Sequence, residues 1–148
     1  MSITDLVWKD VQTLPLKDAA LHLWRYKYEF DVLELPMSDW APHANEPDPK
    51  RKMELVAAQT RQEHDFAHEG PTFDRLKRAN PQASDEDCRD AIKAALKMWD
   101  DCNNCLDKNW ADLGCAADNA VAKARRSNPG FLDETWQHAH GWLCYFYK

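Results

Sequence analysis

The chain contains 148 residues, of which 25 are acidic and 19 are basic, and its formal net charge is −6. This balance argues against a general DNA- or RNA-binding protein, which needs a basic surface to neutralise phosphates. The length corresponds to a single domain over residues 1–148 that can bury a hydrophobic core without disulfides or structural metals.

The residue types favour an all-α protein, which we expect to be a bundle of about five helices. Only four glycines are present, and the alternating runs of Val, Ile and Thr that form strands are absent. The N-terminus resembles neither a secretory signal nor a transit peptide, and the longest apolar run, residues 142–147, is too short to span a bilayer. We therefore expect an intracellular protein with reduced thiols and no transmembrane segment, soluble or peripheral to a larger assembly, in a compartment that the sequence leaves open.

Two helices are predicted before a proline-rich segment. Ser2 can cap a helix whose apolar stripe runs from Ile3 to Leu14. Residues 16–35 predict a second helix with a broad apolar face. Residues 36–49 contain four prolines and predict an extended connection, with Trp40 as its aromatic anchor.

The next two helices are predicted from their start signals and composition. Asp48 followed by Pro49 is a cap with proline at the first helical position, and this helix should run to about Glu69. A short helix over residues 72–79 follows, with basic residues towards its end, where the helix dipole favours them.

Residues 84–126 form the central stretch of the chain. Apolar residues recur there every seven positions without a break, at Ile92, Trp99, Leu106, Leu113 and Ala120. A heptad repeat held this long predicts one long helix, roughly 60 Å in length at about 1.5 Å per residue. Residues 107–110 could instead turn the chain and give a helical hairpin. Of the two, we favour the continuous helix.

The cysteines distinguish these two alternatives. Cys105 and Cys115 would lie about 15 Å apart along a continuous helix, too far for a disulfide, whereas a hairpin could bring them together. Cys88 and Cys102 occupy the heptad seam, and we interpret them as small core residues. Cys102 and Cys105 have the spacing of a zinc or redox pair, but a second such pair is missing.

The last predicted helix begins near Phe131 and is the most aromatic segment of the chain. The protein has seven Trp, five Phe and four Tyr, and Trp and Tyr dominate the hot spots of protein interfaces. These aromatics favour binding to another protein, in a hetero-complex or a homo-oligomer. The alternative is that the apolar faces only pack on each other in a monomeric bundle. The predicted contact residues are Trp40, Trp136, Trp142, Tyr145 and Tyr147.

These observations predict a non-enzymatic helical protein that binds other proteins. It would act as an accessory or structural subunit of a larger complex, or as a small regulator or inhibitor. The sequence shows no nucleophile with a recognisable base and no glycine-rich phosphate loop. Under this interpretation we expect neither a nucleic-acid partner nor a bound cofactor.

The second hypothesis is a helical bundle that binds a metal ion. His64 and His68 lie four residues apart on a predicted helix, so both imidazoles can reach one ion. With His138 from the last helix, they would provide three nitrogen ligands, a set that suits Zn²⁺ or Fe²⁺. The simpler interpretation of the histidine pair is packing near a helix end, where the dipole favours it.

Overall fold

A computed structural model describes residues 2–27, 29–30, 47–54, 56 and 71–148. These residues form six helices, which are α1 Ile3–Val11, α2 Leu16–Arg25, α3 Pro71–Ala79, α4 Asp85–Cys105, α5 Leu113–Ser127 and α6 Asp133–Tyr147. Residues 49–54 are helical as well, and no strand occurs in the described part of the chain. The all-α prediction is confirmed, although the helix count is about seven rather than five.

Several predictions fall partly outside the described residues. The second helix was predicted over residues 16–35, but α2 ends at Arg25, and residues 31–35 are outside. Most of the proline-rich connection over 36–49, including Trp40, is also outside. The predicted start at Asp48 is confirmed, because its carboxylate accepts a hydrogen bond from the Lys50 backbone N–H at 3.1 Å and the helix begins at the next residue.

The chain clusters into two compact units, Met1–Ile92 and Lys93–Lys148, and α4 runs from the first into the second. Each unit buries apolar side chains of its own, such as Val11 and Leu21 in the first and Met98 and Leu143 in the second. The single domain expected over residues 1–148 stays a prediction.

The first unit packs α1, α2 and α3 against each other. α1 starts with a capping box, in which the Ser2 hydroxyl accepts from the Asp5 backbone N–H at 3.2 Å and the Asp5 carboxylate accepts from the Ser2 backbone N–H at 3.1 Å. α2 contacts both other helices and is buried continuously from Asp18 to Leu23. Of these three helices it is the most buried.

In the second unit, α4 and α5 form a helical hairpin, so the continuous helix that we favoured over residues 84–126 is wrong and the alternative is correct. Asp107 accepts a hydrogen bond from the Asn109 backbone N–H at 2.9 Å. Asp112 is the N-cap of α5 and accepts from the Cys115 backbone N–H at 3.2 Å. These carboxylates accept hydrogen bonds from nearby backbone N–H groups that would otherwise bond within a helix. Because these local hydrogen bonds compete with helical ones, α4 ends here although the heptad pattern continues.

The far end of α5 returns to α4 and is held there by Asn128, which is 6% exposed. The Asn128 amide donates to the Asp101 carboxylate at 2.8 Å and to the Ala124 carbonyl at 2.7 Å. Lys97 donates to the same carboxylate at 2.7 Å and to the Asn128 side-chain oxygen at 3.3 Å. The hydrogen bonds from Lys97 and Asn128 lower the pKa of Asp101. We refer to Lys97, Asp101 and Asn128 as the Asn128 clasp.

α6 packs along α5 in the same unit. Gly130 allows the chain to turn between them, because its φ of 95° is a conformation that other residues rarely adopt. The buried residues of α5 are all alanines, which leave room for the large side chains of α6 such as Trp136 and Trp142. None of the described helices is long and apolar enough to cross a lipid bilayer.

Candidate protein-binding surface

An aromatic cluster joins the last turns of α6 to α4. Trp99 of α4 and Trp142 of α6 meet edge to face, with ring centroids 6.0 Å apart, and their exposed fractions are only 8% and 7%. Phe146, one turn further along α6, packs on Trp99 with a centroid separation of 6.1 Å. Aromatic pairs of this kind contribute about 0.5–1.5 kcal/mol beyond the area that they bury. The end of α6 is therefore anchored on α4.

The turn between α4 and α5, residues 106–112, joins this cluster through Tyr147. The Tyr147 hydroxyl donates to the Asn103 side-chain oxygen at 2.7 Å, and its ring packs edge to face on Trp110 with centroids 6.0 Å apart. The Lys108 ammonium lies 4.0 Å from the Tyr147 ring centroid and donates to the Asn103 backbone carbonyl at 3.3 Å. These contacts hold the turn and the end of α6 together.

Two neighbouring rings extend from this cluster into solvent. Tyr145 is 62% exposed and Phe146 is 53% exposed, and they are the only exposed aromatic side chains in the described part of the chain. Their ring centroids are 5.6 Å apart, and the Lys148 ammonium lies 5.2 Å from the Tyr145 centroid. We refer to Tyr145 and Phe146, with Lys148 beside Tyr145, as the aromatic surface.

Known proteins offer no guide to this surface. No protein-family model matches the chain, and neither a curated protein nor a solved structure is similar to it.

The predicted contact residues lie in different environments. Tyr145 is exposed, and Tyr147 is half-buried within the aromatic cluster. Trp136 and Trp142 are 3% and 7% exposed and belong to the core of the second unit. Trp40 lies outside the described residues. Tyr145 is thus accessible to solvent, whereas Trp142 packs on Trp99 beneath the end of α6.

Of the predicted metal ligands, the structure describes only His138. Its Nε2 lies 3.7 Å from a Glu134 carboxylate oxygen, and its ring stacks on Trp142 with the ring planes 21° apart. His64 and His68 are outside the described residues. Among the residues that the structure describes, no group of three His, Cys, Asp or Glu side chains could hold a metal ion. The three-histidine site stays a prediction.

A groove of about 540 Å³ between α5 and α6 contains polar pairs that the sequence did not predict. The His140 Nε2 lies 2.8 Å from an Asp118 carboxylate oxygen, and Arg125 binds Asp133 further along the groove. Trp136 lies between these pairs along α6, with its ring centroid 6.0 Å from the Arg125 guanidinium carbon. Because each of these polar side chains has a partner across the groove, we interpret the pairs as contacts that set the register of α6 against α5.

The first unit contains a second feature that the sequence did not predict. Asp18 and His22 of α2, and Thr72 and Arg75 of α3, are all at most 6% exposed, although their side chains are polar or charged. The Arg75 guanidinium carbon lies 4.9 Å from the Phe30 ring centroid. Asp18 and His22 share one stripe of a helix, a pattern that usually indicates a solvent-exposed face. Among the described residues, α2 packs against both α1 and α3, and this packing contributes to the burial of Asp18 and His22.

Proposed function

We propose that this protein works by binding another protein through the aromatic surface, as an accessory subunit of a larger assembly or as a small regulator. The main supporting observation is that Tyr145 and Phe146 are 62% and 53% exposed and touch each other. Aromatic anchors are enriched at the hot spots of protein interfaces.

The aromatic surface is preorganised for binding. Phe146 packs on the buried Trp99, and the neighbouring Tyr147 is held by Asn103 and Trp110. Ordering a flexible side chain at an interface costs about 0.5–1.5 kcal/mol. Since Phe146 is already held against the cluster, a partner avoids most of this cost.

The exposed area is large enough for an anchor and too small for a whole interface. At roughly 200 Å² per aromatic side chain, the exposed fractions of Tyr145 and Phe146 correspond to about 230 Å². Covering this area at about 25 cal/mol per Å² gives roughly 6 kcal/mol before the costs of association. A stable interface buries about 800 Å² on each partner. We therefore expect the two rings to be the centre of a wider contact.

The charges beside the rings define the chemistry of the partner. Lys148 places its ammonium group 5.2 Å from the Tyr145 centroid, while that of Lys108 lies 4.0 Å from the centroid of Tyr147, the residue after Phe146. A complementary surface would present an apolar pocket bordered by carboxylates. Because such charges act mainly at the rim, higher ionic strength should slow association.

The double variant Tyr145→Ala with Phe146→Ala tests this proposal. Wild type and variant would be immobilised in parallel, exposed to an extract of the source cells, and the retained chains compared by mass spectrometry. Truncation of a hot-spot residue costs about 2 kcal/mol or more, which is roughly a thirtyfold loss of affinity. We expect a partner of the wild type to be lost from the variant while far-ultraviolet circular dichroism stays unchanged.

A matched control removes exposed apolar area from α1 instead. Ile3 and Leu6 are each 48% exposed, so Ile3→Ala with Leu6→Ala deletes a comparable surface. The proposal is supported if a partner protein is retained by the wild type and by the control but is lost from the aromatic variant. Equal retention by all three proteins contradicts it, and so does loss from both variants, which would indicate non-specific adsorption.

A further inference from the structure

The hairpin places two thiols on one cavity. A cavity of about 330 Å³ beside the turn is lined by Cys105, the last residue of α4, and by Cys115, in the first turn of α5. Cys105 is half-buried, Cys115 is exposed, and neither forms a disulfide. The turn residues Asp107, Lys108 and Asn109 between them are exposed. A disulfide requires a Cα separation of roughly 4.4–6.8 Å, so a bridge between the two thiols would draw the ends of this turn together.

The surroundings of the other cysteines are less suited to thiol chemistry. Burial raises the pKa of Cys102 to about 12, and burial also raises the pKa of Cys88. Exchange reactions require a thiolate that the oxidant can reach, so Cys102 is inert although it lies three residues from Cys105. Cys144 is half-buried on α6 and does not line the cavity beside the turn.

We propose that Cys105 and Cys115 form a reversible dithiol site whose oxidant is a small disulfide of the class of oxidised glutathione. The Cys115 thiolate attacks one sulfur of the oxidant, forms a mixed disulfide and releases one glutathione thiolate. The Cys105 thiolate then attacks the Cys115 sulfur and releases the second glutathione. Two protein thiols have lost two electrons and two protons, and the oxidant has become two glutathione thiols.

Asp112 restrains the reactivity of this site. The N-terminus of a helix normally lowers the pKa of a thiol. Here the negative charge of Asp112 raises the pKa of Cys115, with a smaller contribution in the same direction from Asp118. Asp112 also caps α5 by accepting from the Cys115 backbone N–H. The exposed thiol is thus kept protonated, and the site reacts slowly until oxidant is abundant.

Peptide mapping of the full chain tests the proposal directly. Reduced protein would be incubated with oxidised glutathione, quenched with acid, alkylated and digested with trypsin. Cleavage after Lys108 separates the two cysteines into residues 98–108 and 109–123, so that a bridge joins two peptides. We expect this linked pair, with fragmentation assigning the bond to Cys105 and Cys115, and its disappearance after reduction. A bridge to Cys102 or Cys144, or glutathione adducts without any bridge, would overturn the proposal.

Three variants identify the roles of the individual residues. Cys102→Ala should still form the bridge, whereas Cys105→Ser should accumulate the glutathione adduct on Cys115. Asp112→Asn keeps a capping side chain but removes the charge. Adduct formation on Cys115 should then be about threefold faster for each unit by which its pKa falls, since a tenfold gain in thiolate is partly offset by lower nucleophilicity. An unchanged rate in Asp112→Asn would contradict the role of Asp112.

Discussion

Replacing Asn128 by alanine should lower the free energy of unfolding by about 2.5–3 kcal/mol. The Asn128 amide donates to the charged Asp101 at 2.8 Å and to the Ala124 carbonyl at 2.7 Å. A hydrogen bond to a charged group contributes about 1.5–3 kcal/mol, and one to a neutral group about 1 kcal/mol. Because the Asp101 side chain is 29% exposed, water replaces part of the lost donor, and the lower half of the combined range applies.

Urea unfolding followed by far-ultraviolet circular dichroism measures this loss. Asn128→Asp is a matched variant, since it keeps the size of the side chain and an acceptor for Lys97 but places a second carboxylate against Asp101. It should destabilise the protein near neutral pH, and the loss should diminish in acid as the carboxylates become protonated. A loss below about 0.5 kcal/mol in Asn128→Ala would refute the reasoning, because that is the usual effect of a surface substitution.

Two further predictions concern a charge and the core. The pKa of Asp101 is lowered in the folded protein. Its contribution to stability is therefore fully present above the unfolded pKa of about 3.9 and is lost as the pH falls through the folded pKa. The difference in unfolding free energy between wild type and Asp101→Asn should accordingly be constant near neutral pH and shrink in acid. Trp136→Ala should cost about 3–5 kcal/mol because the side chain is 3% exposed, whereas Tyr145→Ala, 62% exposed, should cost less than about 0.5 kcal/mol. Equal losses in these two variants would contradict the assignment of Trp136 to the core.

The aromatic surface and the dithiol site share one short segment. Lys108 and Trp110 contact Tyr147, and both belong to the turn that a Cys105–Cys115 bridge would close. The two proposals nevertheless stand on different observations, because exposed rings support the first and a shared cavity supports the second. The partner-retention and peptide-mapping experiments can therefore fail independently.

The all-α class and several helix boundaries were predictable from the sequence because they depend on nearby residues. Ser2 and Asp5 cap α1 across three positions, and Asp48 caps the helix that begins at Pro49. The exposure of Tyr145 was predicted as part of a contact surface. The exposure of Phe146 was not predicted, because its position in the helical repeat assigns it to the buried face of α6. A periodic pattern shows which residues share a face, but it does not show where the helix that covers this face ends.

What the sequence could not decide depends on residues far apart in the chain. The heptad pattern continues through the turn at residues 106–112, and the hairpin forms because local caps compete with the helix while Asn128 binds Asp101, twenty-seven positions away. The burial of Asp18 and His22 likewise depends on tertiary packing, to which the contacts of α2 with α1 and α3 contribute. Periodicity reports which residues share a face of one helix. Which faces meet, and which remain in water, is set by the free energy of packing the helices together, and that is a property of the tertiary structure alone.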